Sequence, residues 1–207
     1  MSLAFLAFLA FLLPATARGA VSHRGFVEVV GGTHTPLFGT RYRDLFGTGP
    51  VLGFRGGAFQ QPDPGGHNAF ALEFAFEATH PSDSVRDLPD QTYDFDEFRC
   101  LFGARWMYFV RPEMHFYLRA MGGVDVLAIG GTNTLAHKTV DASKSEAGIG
   151  AELSVGSSWR LGSINLGVEL TVPWSMHEDD GTASRYHVNT SYDALSVDLM
   201  LTVSTRR

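Results

Sequence analysis

Every second residue between Phe98 and Tyr108 is apolar or small: Phe98, Cys100, Phe102, Ala104, Trp106 and Tyr108. The intervening set is Glu97, Arg99, Leu101, Gly103, Arg105 and Met107. A two-residue period sends successive side chains to opposite faces of a β-strand. This strand therefore has one uniformly greasy face and one face carrying charge and glycine. The next segment repeats the pattern. Phe116, Leu118, Ala120, Gly122, Val124 and Val126 alternate with His115, Tyr117, Arg119, Met121, Gly123 and Asp125. The proline-containing stretch 111–114 between them predicts a short turn and an antiparallel pair.

The same alternation recurs over 70–77, 148–159, 164–174 and 195–203, and more weakly over 25–32 and 51–60. Eight strands follow, with no helical periodicity beyond the N-terminal segment. Eight antiparallel strands can turn the apolar face inward, as in a sandwich or a ligand-carrying barrel, or outward into lipid. Side-chain size decides between them. The polar face is rich in Gly, Ala and Ser, which suit a narrow barrel interior. The apolar face is Phe, Trp, Leu and Val. A water-facing surface also needs abundant charge. Only 18% of the residues are charged, and Lys138 and Lys144 are the only lysines. The apolar face is expected to meet lipid, in an all-β, eight-stranded, antiparallel up-and-down transmembrane barrel.

Connections alternate in length. Long ones are expected over 33–49, 81–93, 129–144 (with both lysines) and 175–189. Short ones are expected over 61–67, 111–114 and 162–163. Short turns on one side and long loops on the other characterise outer-membrane barrels. Trp106, Tyr108, Phe109, Phe116, Trp159, Trp174 and Tyr192 gather near strand ends, as interfacial aromatics do. In this pattern, over residues 24–205, the chain resembles the small eight-stranded bacterial outer-membrane β-barrels of the OmpA/OmpX type. The resemblance implies a bacterial outer-membrane location. Such barrels usually end in an aromatic residue, whereas this chain ends TVSTRR.

The N-terminus adds an address. Residues 3–13 are an unbroken apolar run, closed by Pro14 and followed by small residues. That is a signal-peptide core and too short for a spanning helix. Residues 1–20 are expected to be a cleavable signal peptide, with cleavage after Ala17 or Ala20, and 21–207 the barrel domain. The net charge is −6 and no basic patch exists, which excludes nucleic acid as a partner. Cys100 is the single cysteine, so no disulfide framework or Cys-based metal site is available. It is expected to face lipid and be inert.

With this topology twelve charges point into the interior: Glu28, Arg55, Glu73, Glu77, Glu97, Arg99, Arg105, Arg119, Asp125, Glu152, Glu169 and Asp198. Phe70, Leu72, Phe74, Phe76, Phe98, Phe102, Trp106, Phe116, Leu118, Leu153, Leu166, Val168, Leu170 and Leu199 face lipid. An arginine on the lipid face would cost about 2–4 kcal/mol at the midplane; inside, it can pair. Arg55, Arg105, Arg119, Glu73, Glu169 and Asp198 are expected at similar height, crossing a side-chain-filled lumen. Eight acids face four arginines, which leaves carboxylates without a guanidinium. Like charges repel across a ladder, so the 105–119 hairpin is expected to pair residues summing to 226, setting Arg105 opposite Met121. The two-residue Gly162-Ser163 turn is expected to be type II′ and to pair Leu161 with Ile164.

Chemistry-bearing motifs are thin. A lipid-deacylating barrel resembles His-x-Ser with a downstream Glu; among the eight histidines only His80-Pro81-Ser82 has that spacing, at the start of an expected long loop. Ser175, His177, Glu178 and Asp179 stand in one stretch, read as a solvated acidic loop. With His187 they could hold a divalent cation, but no strict ligand spacing is present. Catalytic residues, metal and cofactor are all expected to be absent. The expected protein is not an enzyme. It is a monomer in outer-membrane lipid, with a structural or surface-interaction role and loops able to meet an extracellular ligand. The alternatives are a lipid-modifying enzyme or a narrow ion or proton pore.

Overall fold

The computed structural model describes residues 23–38, 47–60, 66–80, 91–135, 138–177 and 192–206. The expected signal peptide, the C-terminal residue, and Glu178, Asp179 and His187 lie outside them, as does the side chain of Tyr192. Eight strands run in order: β1 (His23–Phe38), β2 (Gly49–Gln60), β3 (Asn68–Thr79), β4 (Gln91–Arg111), β5 (Met114–Leu135), β6 (Lys138–Leu161), β7 (Ile164–His177) and β8 (Tyr192–Arg206). Each pairs antiparallel with its sequence neighbours, and β1 pairs with β8 to close the ring. Closure removes every sheet edge, as a membrane-spanning sheet requires.

Side-chain size sorts the two faces as the alternation requires. Phe70, Leu153 and Leu201 are each 66% exposed on the outside, and Leu72, Phe76, Phe102, Phe116, Leu118, Leu166, Val168, Leu170 and Leu199 are exposed with them. Phe74, Phe98 and Trp106 point the same way but are half-buried among outer neighbours. Phe54, Phe74, Phe76 and Phe98 form a contiguous run of ring contacts across β2, β3 and β4. Cys100 is exposed on this face. Phe109 departs from the expected girdle. It is half-buried, packs against the interior cluster of Phe26, Phe59, Met107 and Tyr117, and lies over His115.

Strand ends differ from the sequence reading at the long-loop side. β5 continues to Leu135 and β6 begins at Lys138, so the expected 129–144 loop is a tall hairpin, and Lys138 and Lys144 belong to β6. β1 extends to Phe38 and β7 to His177. β4, β5 and β6 have 21, 22 and 24 residues. That is about twice the 9–11 a tilted strand needs to cross a bilayer. The excess projects beyond the membrane on that side. On the outer surface the side chains of His80 and Asp96 pair at 2.8 Å, each about half exposed.

The β4–β5 register also differs. Arg105 lies opposite Arg119, and the paired positions sum to 224 rather than 226. Turn geometry sets this outcome. Pro112 and Glu113 make a two-residue turn that pairs Arg111 with Met114. One extra residue, Val110, then shifts the ladder so that Phe109 pairs with His115. In the β6–β7 hairpin Leu161 pairs with Ile164 as expected. Gly162 adopts φ +66°, a left-handed conformation that glycine reaches without a Cβ penalty.

Candidate functional site

All twelve charges assigned to the interior are buried there, each no more than 4% exposed. A buried charge is tolerated only when paired and hydrogen-bonded, and pairing organises the interior into two levels.

The level nearer the short turns holds Arg55, Arg105 and Arg119. Arg55 on β2 places Nη2 2.6 Å from Glu77 and Nη1 2.9 Å from Glu169, on β3 and β7. Arg105 on β4 reaches Glu28 at 2.7 Å and Glu73 at 2.9 Å. Its guanidinium lies over the rings of Phe26 and Tyr117, 5.1 and 4.5 Å from their centroids. Arg119 on β5 reaches Glu152 at 2.6 Å and Glu169 at 2.8 Å, and donates to Ser154 Oγ. Glu169 also accepts from Tyr117 at 2.8 Å and Thr171 at 2.6 Å. A cavity of about 10 Å³, lined in part by Glu28, Arg105 and His115, lies at the short-turn end. That volume is about one water probe.

The level nearer the long loops holds Arg99. Its guanidinium meets Asp198 at 3.0 Å, Glu77 at 3.3 Å and Glu152 at 3.7 Å. β4 and β8 stand four places apart in either direction around the ring, so the Arg99–Asp198 pair crosses a full diameter. His34 Nδ1 bonds the second Asp198 oxygen at 2.7 Å. Asp198 therefore does not join Arg55, Arg105 and Arg119 as the sequence suggested. Strand stagger lifts it to the level of Arg99. Beside it, Ser175 Oγ contacts both Glu97 Oε1, at 2.9 Å, and Asp125 Oδ2. His177 Nε2 stands 3.7 Å from Asp125 Oδ2.

The eight-to-four imbalance is thereby located. Glu28, Glu73, Glu77, Glu152, Glu169 and Asp198 each face at least one guanidinium within 4 Å. Glu97 and Asp125 meet at the Ser175 hydroxyl, with the His177 imidazole beside Asp125. The sequence reading misses Ser175 and His177 as interior residues, and with them His34 and Glu146, all buried. Continuing the odd-number parity of β7 from Glu169 through Thr171 and Pro173 points to both Ser175 and His177. The stretch read as an acidic loop instead delivers its first members into the barrel. The Ser175 hydroxyl is engaged by two carboxylates, an arrangement unlike the serine–imidazole contact of a nucleophilic triad.

No family model matches the sequence, and no curated protein matches it. Among solved structures, a major outer membrane protein from Thermus thermophilus aligns with a TM-score of 0.51 at 12% identity, over 90% of this chain and 100% of that one. Ail, the attachment invasion locus protein of Yersinia pestis, gives 0.48 at 9% identity, over 90% and 99%. Neisserial surface protein A gives 0.46 at 14%, over 90% and 99%. Likeness at such low identity speaks for the fold: a closed eight-stranded barrel of the bacterial outer-membrane kind.

Proposed function

We propose that this eight-stranded outer-membrane barrel is a structural or surface-interacting protein, without enzymatic activity, whose lumen is closed by its own side chains. The observation that carries the reading is the Arg99–Asp198 pair. A 3.0 Å ion pair joining opposite walls leaves no axial path at that height. The level beneath it is crossed again by Arg55, Arg105 and Arg119. An eight-stranded ring holds little more than its own side chains. A water-filled channel would leave some of these groups hydrated, yet Arg55, Glu77 and Asp198 are fully buried.

A barrel closed this way has two working surfaces, the lipid-facing belt and the long-loop end. β4, β5 and β6 stand clear of the membrane at the second. Outer-membrane lipid is the first partner and a ligand at the strand tips the second, with the protein acting as a monomer. Reconstitution in planar bilayers tests the closed lumen. Fully folded protein should give no stepwise conductance, whereas regular single-channel steps would return the narrow-pore alternative. Mass spectrometry of lipid A from cells with and without the protein tests the enzymatic one. An unchanged profile is expected.

A further inference from the structure

Glu97, Asp125 and His177 come from three different strands, β4, β5 and β7, and are all buried. Each offers a ligand atom, and these atoms lie within 4.8 Å of one another. Two donors on one ion are separated by at most twice the metal–ligand distance. That is about 4.2 Å for zinc with nitrogen and oxygen donors and about 4.8 Å for the longer bonds of larger cations. Donors no more than 4.8 Å apart can close onto one ion by side-chain adjustment.

Three further features point to a ligand. First, the Glu97 and Asp125 carboxyl groups are buried side by side, bridged by the Ser175 hydroxyl. A divalent cation would meet two oxygen donors there. Second, Asp125 is fully buried, and its Oδ1 has no hydrogen-bond partner. Such an orphaned acceptor is costly to bury. Third, the facing interior positions of β6 are glycines. A Cβ on Gly148 would collide with the Met176 carbonyl oxygen and fall 2.9 Å from the His177 ring, and one on Gly150 would fall 3.4 Å from Asp125 Cβ. The wall is cut back where the imidazole and carboxylate meet.

We infer that Glu97, Asp125 and His177 form a binding site for one divalent first-row transition cation such as Zn²⁺, with the Ser175 hydroxyl holding the two carboxylates side by side. The imidazole nitrogen selects such ions over Ca²⁺ and Mg²⁺, which prefer all-oxygen shells. The ion enters from the long-loop end, where His177 closes β7. It ties β7 to the neighbouring strands β4 and β5 near the long-loop end.

The test is calorimetric titration of ZnCl₂ into the full-length barrel, refolded in detergent micelles and stripped with chelator. One Zn²⁺ per barrel is expected, with affinity at least tenfold above that for CaCl₂. Asp125→Asn and His177→Gln should each lower zinc affinity at least tenfold, while heat-modifiable gel migration reports that both barrels still close. Absence of binding at 1 mM Zn²⁺, or equal affinity in wild type and both variants, overturns the site, the latter because surface histidines would then hold the ion. Should a variant fail to close, zinc-edge X-ray absorption of the wild type decides. A first shell of one imidazole plus oxygen donors supports the site. A shell of several imidazoles, or of water alone, overturns it.

Discussion

Arg105 and Arg119 stand directly opposite each other across the β4–β5 ladder, and the carboxylate of Glu73 divides itself between them. One oxygen of Glu73 lies 2.9 Å from Arg105 Nε and the other 3.6 Å from Arg119 Nε. The two guanidiniums then diverge. Arg105 goes to Glu28 on β1, and Arg119 to Glu152 and Glu169 on β6 and β7. A like-charge cross-strand pair that would be repulsive alone is held by a carboxylate from a third strand.

Glu73→Gln should therefore be among the most damaging single changes in the interior. It leaves two adjacent buried guanidiniums sharing a neutral amide, and breaking a buried ion pair from one side costs about 3–5 kcal/mol. Urea unfolding in lipid vesicles, followed by tryptophan fluorescence, should show that loss. Glu73→Gln combined with Arg105→Met should recover a substantial part of it. A single variant as stable as wild type would mean that Glu73 does not mediate the pair.

The outward face makes a depth-dependent prediction. Leu170 lies in the middle of β7 and is 44% exposed, while Leu161 lies at the short turn and is 57% exposed. Arginine at the bilayer midplane costs about 2–4 kcal/mol and at the interface about 0–1 kcal/mol. Leu170→Arg should accordingly destabilise the vesicle-embedded barrel by the larger amount and Leu161→Arg by the smaller. Equal costs in vesicle unfolding titrations would remove lipid from around Leu170.

How far such features are legible in the sequence depends on lipid. Where the outer face meets acyl chains, the two-residue period is enforced on both faces. The inward assignment of all twelve charges, from Glu28 to Asp198, follows from parity alone. Above the membrane the outer face has no need to be apolar. The segments IGGTNTL and KTVDASKS lose their alternation there, and the tall β5–β6 hairpin reads as loop. Ser175 and His177 escape for the same reason, although their odd numbers continue the β7 series. The β4–β5 register depends on the Pro112 turn and on the extra residue Val110. Those are local backbone matters that a charge-repulsion argument does not reach.

Cys100 offers a chemical reporter of the same boundary. It is exposed on the outer face between Phe98 and Phe102, so lipid rather than water should cover it. A membrane-impermeant charged maleimide should leave Cys100 unmodified in the vesicle-embedded barrel and label it fully in the urea-unfolded chain. Mass spectrometry reads both. Rapid labelling of the folded, embedded protein would place that stretch of β4 in water.

The β6–β7 turn supplies a prediction that depends on backbone alone. Gly162 sits at φ +66° with open space where a Cβ would go, so any cost of substitution is conformational rather than steric. The Arg160 guanidinium donates to the Gly162 carbonyl at 3.1 Å, and Leu161 pairs with Ile164 immediately below. A left-handed conformation costs an ordinary L-residue roughly 1–2 kcal/mol, and asparagine less because its side chain bonds locally. Gly162→Val should therefore lower the unfolding midpoint, and for a β-branched residue the loss should lie at the upper end of that range. Gly162→Asn should stay close to wild type. Because no neighbour is touched in either case, the difference between the two variants isolates the turn. Equal stability of all three would mean that this position is free to leave the left-handed region, and that the register of β6 against β7 is held by the strands rather than by the turn.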